Sequence, residues 1–391
     1  MSSIGIVAVD TSGKWIGGRY YLQHLVKAVK ALPEQERLSL ADVWWQDAPA
    51  DDPFAEVRDD LDRRVVVRAP TAILPRLRRK FRRLRSRAGH VGDLFKDAGV
   101  GVLFPLLPCA APGVPYVFWL PDFQYLHLPQ LFSRELSEWF DTHYASNVSQ
   151  ADLVALSSRH ALRDFGKIFP EAKGKARVVH FCSVPDKKWW RLDPAEVALA
   201  KGIDQPFFLL SNQFSRHKNH GIVFEAVRIL KERGASVQVV CTGSTYCFQS
   251  GEYFAGLEEF IRSHGLQSQI HILGMIPREE QVALMRRAVG MLQPSRFEGW
   301  STVVEDAKTL GKTLLVSDIA VHREQLGDDH PYLDADDAEA WADAMREAWA
   351  RATPGPHYEV EEEARLRLNR DQVVYGRNFI KVMREAMTKA Y

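Results

Sequence analysis

Short apolar runs alternate along this chain with longer stretches in which apolar residues recur every three or four positions. The runs predict strands at 4–9, 38–45, 64–68, 100–103, 114–120, 152–155 and 177–181 in the first half. In the second half they fall at 207–210, 236–242, 270–273, 289–292 and 313–317. The three-to-four spacing predicts helices at 19–32, 133–149 and 159–169, then at 221–233, 252–264, 279–288, 302–311 and 338–351. A last helix, 361–390, is expected to break near Gly376. The strands read as near-continuous apolar runs rather than as alternating ones, which is the pattern of parallel strands buried on both faces. Strand and helix therefore alternate through two halves, an α/β chain of two doubly wound units.

Composition adds few constraints. A chain of 391 residues is too long for one ordinary core and suits two domains. Residues 183–205 turn to Pro, Lys, Trp and Asp without strand periodicity, which places a linker between domains at 1–185 and 206–370, with 371–391 as a terminal helix. A net charge of +1 gives no global attraction to nucleic acid. The four cysteines are scattered without a C-x-x-C, so they read as reduced thiols of a cytoplasmic protein. The first residues lack the basic and apolar segments of a signal peptide. Residues 99–121 carry no charge, but five prolines among them argue for two strands and a loop, not a membrane span. The exception to the balanced charge is 75–87, PRLRRKFRRLRSR, with eight basic residues, Arg76 to Arg87, and no acid. Its apolar positions share one helical face, a pattern suited to an anionic membrane surface or to a helix packed on its own domain.

Candidate chemistry concentrates in 293–325, QPSRFEGWSTVVEDAKTLGKTLLVSDIAVHREQ. A strand ends at Pro294-Ser295, a tight turn carries Glu298, Gly299 and Trp300, and Thr302-x-x-Glu305 predicts a capping box opening a helix. The N–H groups of Ser301, Thr302 and Val303 at that helix start suit a phosphate. A carboxylate beside a phosphate site suits sugar hydroxyls, because it accepts two charge-assisted hydrogen bonds.

The segment resembles the signature of retaining glycosyltransferases with the GT-B fold, the family that includes sucrose synthases and lipopolysaccharide mannosyl- and rhamnosyltransferases. Their pattern is a Glu, seven residues and a second Glu; here Glu298 is the first and Asp306 takes the second position, with Glu305 beside it. The resemblance implies two Rossmann-like domains facing a central cleft, a terminal helix crossing back to the first domain, and a nucleotide-sugar donor with no cofactor. It assigns Glu298 to the donor sugar and Asp306 or Glu305 to the ribose. It also draws in Lys218, which precedes Asn219 as a phosphate-binding Lys does in relatives, and Gln213, where they carry Arg. Arg216 is the residue able to compensate for that loss. Residues 274–277, with Met275, match the segment that brackets the nucleobase. Gly17 and Gly18, after the first strand, match a loop over the donor. Asp122 and Pro129 match the strand end where relatives have His-Asp, but Pro121 stands at the His position. His127 is nearby; a lone loop histidine is more often structural.

No metal is expected. The D-x-D at Asp334-Ala335-Asp336 immediately precedes a helix and reads as a cap. The expected reaction is transfer of a hexosyl unit to a hydroxyl of a glycan or lipid-linked acceptor in envelope polysaccharide synthesis, at the inner face of a cytoplasmic membrane. A nucleotide-sugar epimerase of the same fold and a non-catalytic glycan- or lipid-binding scaffold are the alternatives.

Overall fold

The computed structural model describes residues 3–7, 16–45, 52–67, 95–105, 113–246, 251–351 and 353–389. The basic segment 75–87 lies outside them. The chain divides into two compact units, one formed by Met1–Asp122, Glu138–Phe181 and Asp371–Tyr391, the other by Phe123–Ser137 and Cys182–Arg370. The second unit therefore takes in 182–205, which the composition marks as a linker. There, Asp193 caps the helix Pro194–Ala200 by accepting from the N–H groups of Ala195 and Glu196. Trp189 and Ala198 are buried in that unit's core.

The first unit contains strands β1 (Ser3–Val7), β2 (Leu40–Trp45), β3 (Arg63–Val67), β4 (Val100–Phe104), β5 (Val117–Leu120), β6 (Leu153–Leu156) and β7 (Ala176–Val178). They form parallel sheets ordered β3-β2-β1-β4 and β5-β6-β7, joined by a bridge from Leu103 to Tyr116. The combined order reverses direction after β1, as in a doubly wound fold. Helix α1 spans Ile16–Lys30. Gly17 and Gly18 thus sit in its first turn, not in the loop that the sequence suggests. A methyl group on Gly17 would meet nothing within 4 Å, so no steric demand explains the residue.

Helices α2 (Gln124–His127), α3 (Arg134–Gln150) and α4 (Arg159–Ile168) precede the second unit's core, and α5 is Pro194–Ala200. That core holds β8 (Phe208–Ser211), α6 (His220–Glu232), β9 (Val239–Thr242), α7 (Gly251–Ser263), β10 (Ile270–Gly274), α8 (Arg278–Arg287) and β11 (Gly290–Gln293). It continues with α9 (Thr302–Leu310), β12 (Leu314–Ser317), α10 (Ala320–Leu326), β13 (Tyr332–Leu333) and α11 (Ala338–Arg351). The six strands are parallel in the order β10-β9-β8-β11-β12-β13. Successive residues of each strand point to opposite faces. Phe208, Leu210 and Leu292 pack under α6, α7 and α11, while Leu209, Met291 and Val316 pack under α5, α8 and α9. The order reverses between β8 and β11, and the crevice at such a switch point is where open α/β sheets bind ligands.

The last helix, α12 (Tyr358–Lys389), runs unbroken through Gly376. The glycine is there for proximity and not as a breaker. A Cβ at 376 would lie 2.7 Å from the Ala28 carbonyl oxygen and 3.1 Å from Leu32 Cγ. Arg377 pairs with Glu36 at 2.7 Å beside this contact. Gly376→Ala is therefore expected to destabilise by about 1–3 kcal/mol through overpacking. Without that close approach, alanine would stabilise the helix by about 0.5–1 kcal/mol, so the sign of the change in urea denaturation decides.

Candidate active site

The loops after β8 and β11 meet at the switch point. Asn212 Nδ2 donates to Gln293 Oε1 at 2.7 Å, Asn219 Nδ2 to the Pro294 carbonyl at 3.2 Å, and the Arg296 N–H to the His217 carbonyl at 2.8 Å. Asn219 adopts a left-handed conformation, φ 57°, a region asparagine tolerates better than most residues. That turn starts α6 and aims Lys218 across the crevice. Its Nζ lies 2.6 Å from Glu298 Oε1, and Gln293 Nε2 donates to the same oxygen at 2.7 Å. Glu298 is buried, with 8% of its surface exposed. Burial by itself would raise its pKa, but the Lys218 charge outweighs that and holds the carboxyl below its ordinary value. The two residues singled out as sugar and phosphate ligands thus bind each other across the crevice.

Two imidazoles border the pair, and one of them, His217, is half-buried. His322 is fully buried; its Nδ1 lies 2.8 Å from the Ser317 carbonyl, and its Nε2 has no hydrogen-bond partner among the described residues. Burial lowers its pKa to about 4 against the opposing pull of Glu298. Burial also lowers the His217 pKa, to about 3, with Lys218 adding to the effect. Both rings are neutral at physiological pH.

Helix α9 opens one residue earlier than a capping box at Thr302 requires. Its N-cap is Ser301, extended at φ −85° and ψ 114°, with Oγ accepting from the Val304 N–H. Glu305 therefore does not cap. It is buried and takes Lys308 Nζ at 3.0 Å and Gln325 Nε2 at 2.9 Å. The Ser301 N–H, expected to face a phosphate, donates instead to Gln325 Oε1 at 3.1 Å. Thr302 and Val303 retain theirs at the helix start, where four N–H groups lack helical partners.

Asp306 lies on the next turn. Its Oδ1 accepts from Ser183 Oγ at 2.6 Å and from Arg278 Nη2 at 2.7 Å. The Arg278 guanidinium also lies over the Trp189 ring at 4.7 Å. Sequence reasoning passed over Arg278, Gln293, Gln325 and His322. The signal for Arg278 was its place just after Met275-Ile276-Pro277, the segment matched to the nucleobase. Met275 is exposed there.

Other candidates are placed elsewhere. Gln213 is exposed and donates to the Tyr246 carbonyl. Arg216 turns from the pair and lies over Tyr253 at 5.4 Å. Gly299 and Trp300 are half-buried in the turn after Glu298. His127 lies 5.1 Å, ring to ring, from Phe297 next to Glu298. Gly17, Gly18 and Asp122 belong to the first unit. In the D-x-D, Asp334 Oδ1 accepts from the Asp336 N–H, and Asp336 pairs with Arg296 at 2.5 Å. The cap of α11 is Asp337, accepting from the Ala340 N–H.

The sequence of residues 196–364 matches a known family described as glycosyl transferases group 1. The match to the glycosyl transferases group 1 family is confined to residues 196–364. Lys218, Glu298, Glu305 and Asp306 all lie inside the group 1 segment. The chain is similar to alpha-D-kanosaminyltransferase of Streptomyces kanamyceticus, 23% identical over 252 residues, which are 62% of each chain. The match thus spans less than two thirds of that relative. Among solved structures, a glycosyltransferase of Rickettsia africae covers all of this chain at a TM-score of 0.66 and 11% identity, with 97% of its own length aligned. Anabaena HepE, solved with UDP and glucose, aligns over 100% of this chain and 99% of its own at a TM-score of 0.63 and 16% identity. The group 1 segment and its partner unit together have the GT-B fold.

Proposed function

We propose that the protein is a retaining glycosyltransferase that moves a hexosyl unit from a nucleotide diphosphate sugar to a hydroxyl of a glycan or lipid-linked acceptor. The observation that carries this reading is the Lys218–Glu298 pair in the switch-point crevice of a group 1 segment. Lys218 and the N–H groups of Thr302 and Val303 receive the departing diphosphate, whose charge grows as the glycosyl–oxygen bond breaks. Glu298 keeps Oε1 on Lys218 and Gln293 and offers Oε2 to sugar hydroxyls. Asp306, held through Oδ1, offers its other oxygen to the ribose; Glu305 is engaged under the helix by Gln325 and Lys308. The new bond forms to the acceptor oxygen, and the acceptor's proton passes to the leaving diphosphate. Gly17, Gly18 and Asp122 keep the donor and acceptor roles that the resemblance implies. No cation is required where a lysine and a helix start meet the diphosphate. The basic segment 75–87 supports an acceptor presented at an anionic inner membrane surface. Among the described residues, no helix is long and apolar enough to cross a membrane.

The test is a thermal-shift panel of UDP-, GDP-, dTDP- and ADP-sugars, followed by assay of nucleoside diphosphate release with and without chelator. A ligand at 100 times its Kd stabilises by about 2.7 kcal/mol, a shift of roughly 5–10 °C for domains of this size. One class of donor is expected to give that shift, and its turnover is expected to survive chelation. No shift with any nucleotide sugar, or conversion of a donor alone into an isomer, overturns the transferase reading. Activity lost to chelator and restored by a divalent cation overturns the metal-free diphosphate site.

A further inference from the structure

A concavity of the second unit lies beside the Lys218–Glu298 pair, and neither residue lines it. It has a volume of about 880 Å³, within the range of about 300–1,000 Å³ typical of small-molecule sites. Arg216 and Arg296, close in sequence to Lys218 and Glu298, form its near wall. The far wall comes from the start of α6, from Tyr253 on α7 and from the turn Asp334–Asp336 before α11. Those elements pack on one face of the sheet, whereas α8 and α9, which carry Arg278 and Asp306, pack on the other. The cavity and the nucleotide cluster thus share the C-terminal edge of the strands and occupy opposite faces of the sheet.

The lining chemistry selects the ligand class. Three of its four acids are tied to arginines: Arg296 Nη1 to Asp336 at 2.5 Å, Arg323 to both oxygens of Asp318 at 2.6 and 2.7 Å, and Arg228 to both oxygens of Glu225 at 2.6 and 3.0 Å; the fourth, Asp334, accepts from the Asp336 N–H at 2.9 Å. A phosphate therefore meets carboxylates on the same wall, and a cation meets guanidiniums. What remains are fixed acceptor lone pairs and N–H donors at many angles, with Leu128 and Leu131 giving an apolar strip. Carboxylates already held by arginine still accept hydroxyl hydrogen bonds, since each has about four lone-pair sites. That combination fits a neutral polyol with an apolar C–H face.

We propose that this cavity is a binding site for a neutral saccharide, the acceptor glycan or a sugar unit of it. The saccharide chemistry follows from the lining; its role as acceptor rests on the transferase reading. The nucleotide would occupy one face of the sheet edge and the acceptor the other, with the Lys218–Glu298 pair between them.

The test uses saturation-transfer NMR on the full chain with methyl glycosides of glucose, mannose, galactose and N-acetylglucosamine, and with glucose 6-phosphate. Wild type is compared with Ile222→Trp, which fills the cavity, and with Asp318→Asn, which keeps the side-chain shape. Binding of UDP, GDP and dTDP is followed by thermal shift in the same samples. At least one neutral glycoside is expected to bind wild type and to lose about tenfold or more in affinity in both variants, the loss of one good contact, with nucleotide binding unchanged. Absence of any neutral glycoside signal, retention of the signal in both variants, or binding by glucose 6-phosphate alone overturns the proposal. Glycoside binding without any nucleotide binding upholds the cavity and overturns the donor reading instead.

Discussion

Glu298→Ala is expected to lower kcat/KM by about 10- to 100-fold while nucleotide binding persists, the loss of a charge-assisted contact worth about 1.5–3 kcal/mol. The structure adds a stability prediction that the residue types alone did not suggest. Glu298 is buried and its compensating charge comes from Lys218, 2.6 Å away. Lys218→Ala would leave a carboxylate in the crevice with only the Gln293 amide on it. Breaking a buried pair from one side costs about 3–5 kcal/mol, and the partial exposure of Lys218, 19% of its side chain, places this case at the low end. Removing both charges, as in Lys218→Met with Glu298→Gln, is expected to recover most of that loss while turnover stays low. Urea denaturation of the two singles and the double checks the coupling. Additive effects would show that the pair is not a unit. Wild-type turnover in Glu298→Ala, with the donor found by the panel, would remove the sugar-binding role.

Mild acid is expected to destabilise the protein well before its carboxylates titrate. His220 and His322 are both fully buried. Burial lowers the His220 pKa from 6.5 to about 3, with the Asn212 backbone opposing, and lowers that of His322 to about 4. As pH falls through 6.5 the unfolded chain takes up protons at both sites and the folded chain does not. Stability rises with pH wherever the unfolded state binds more protons, so it must fall between pH 6.5 and about 4. From pH 7 to 5 the two groups together cost about 3–4 kcal/mol. Glu298 acts on a lower window: its pKa is depressed, so its contribution is present above the ordinary value of 4.5 and is lost below it as the carboxyl protonates. His220→Phe tests the assignment, because the ring already stacks on Phe214 at 4.1 Å. The variant is expected to lose about 2 kcal/mol of the difference between pH 7 and 5 in urea unfolding. An unchanged difference would mean that His220 does not stay neutral in the folded state.

Most of the secondary structure was legible because parallel strands buried on both faces leave short apolar runs that little else produces. The Glu298 and Lys218 candidates were legible as types at strand ends. Their pairing was not, since it depends on β8 lying beside β11, which no local pattern encodes. The capping residue was misjudged by one position because Ser301 and Thr302 are both good N-caps and only the backbone decides between them. Gly376 was misread as a break for a similar reason. Its role is set by the Ala28 carbonyl, which belongs to a helix almost the whole chain away. Arg216 carries the charge that a diphosphate would want, yet its direction follows Tyr253 and could not be read from the sequence.

The reversal of strand order also bears on when the crevice comes into being as the chain folds. Strands β8, β9 and β10 are sequential neighbours and can assemble as they emerge. The other side of β8 stays an open edge until β11 arrives, and Lys218 and Glu298 stand 80 residues apart. Closing so long a loop costs entropy that is repaid only when the distant strand pairs. The crevice is therefore a late product of folding. Until β11 docks, Lys218 has no carboxylate to meet and the edge of β8 is open to pairing with another chain. A nascent or truncated chain that stops short of β11 keeps half a sheet, an exposed edge and no crevice.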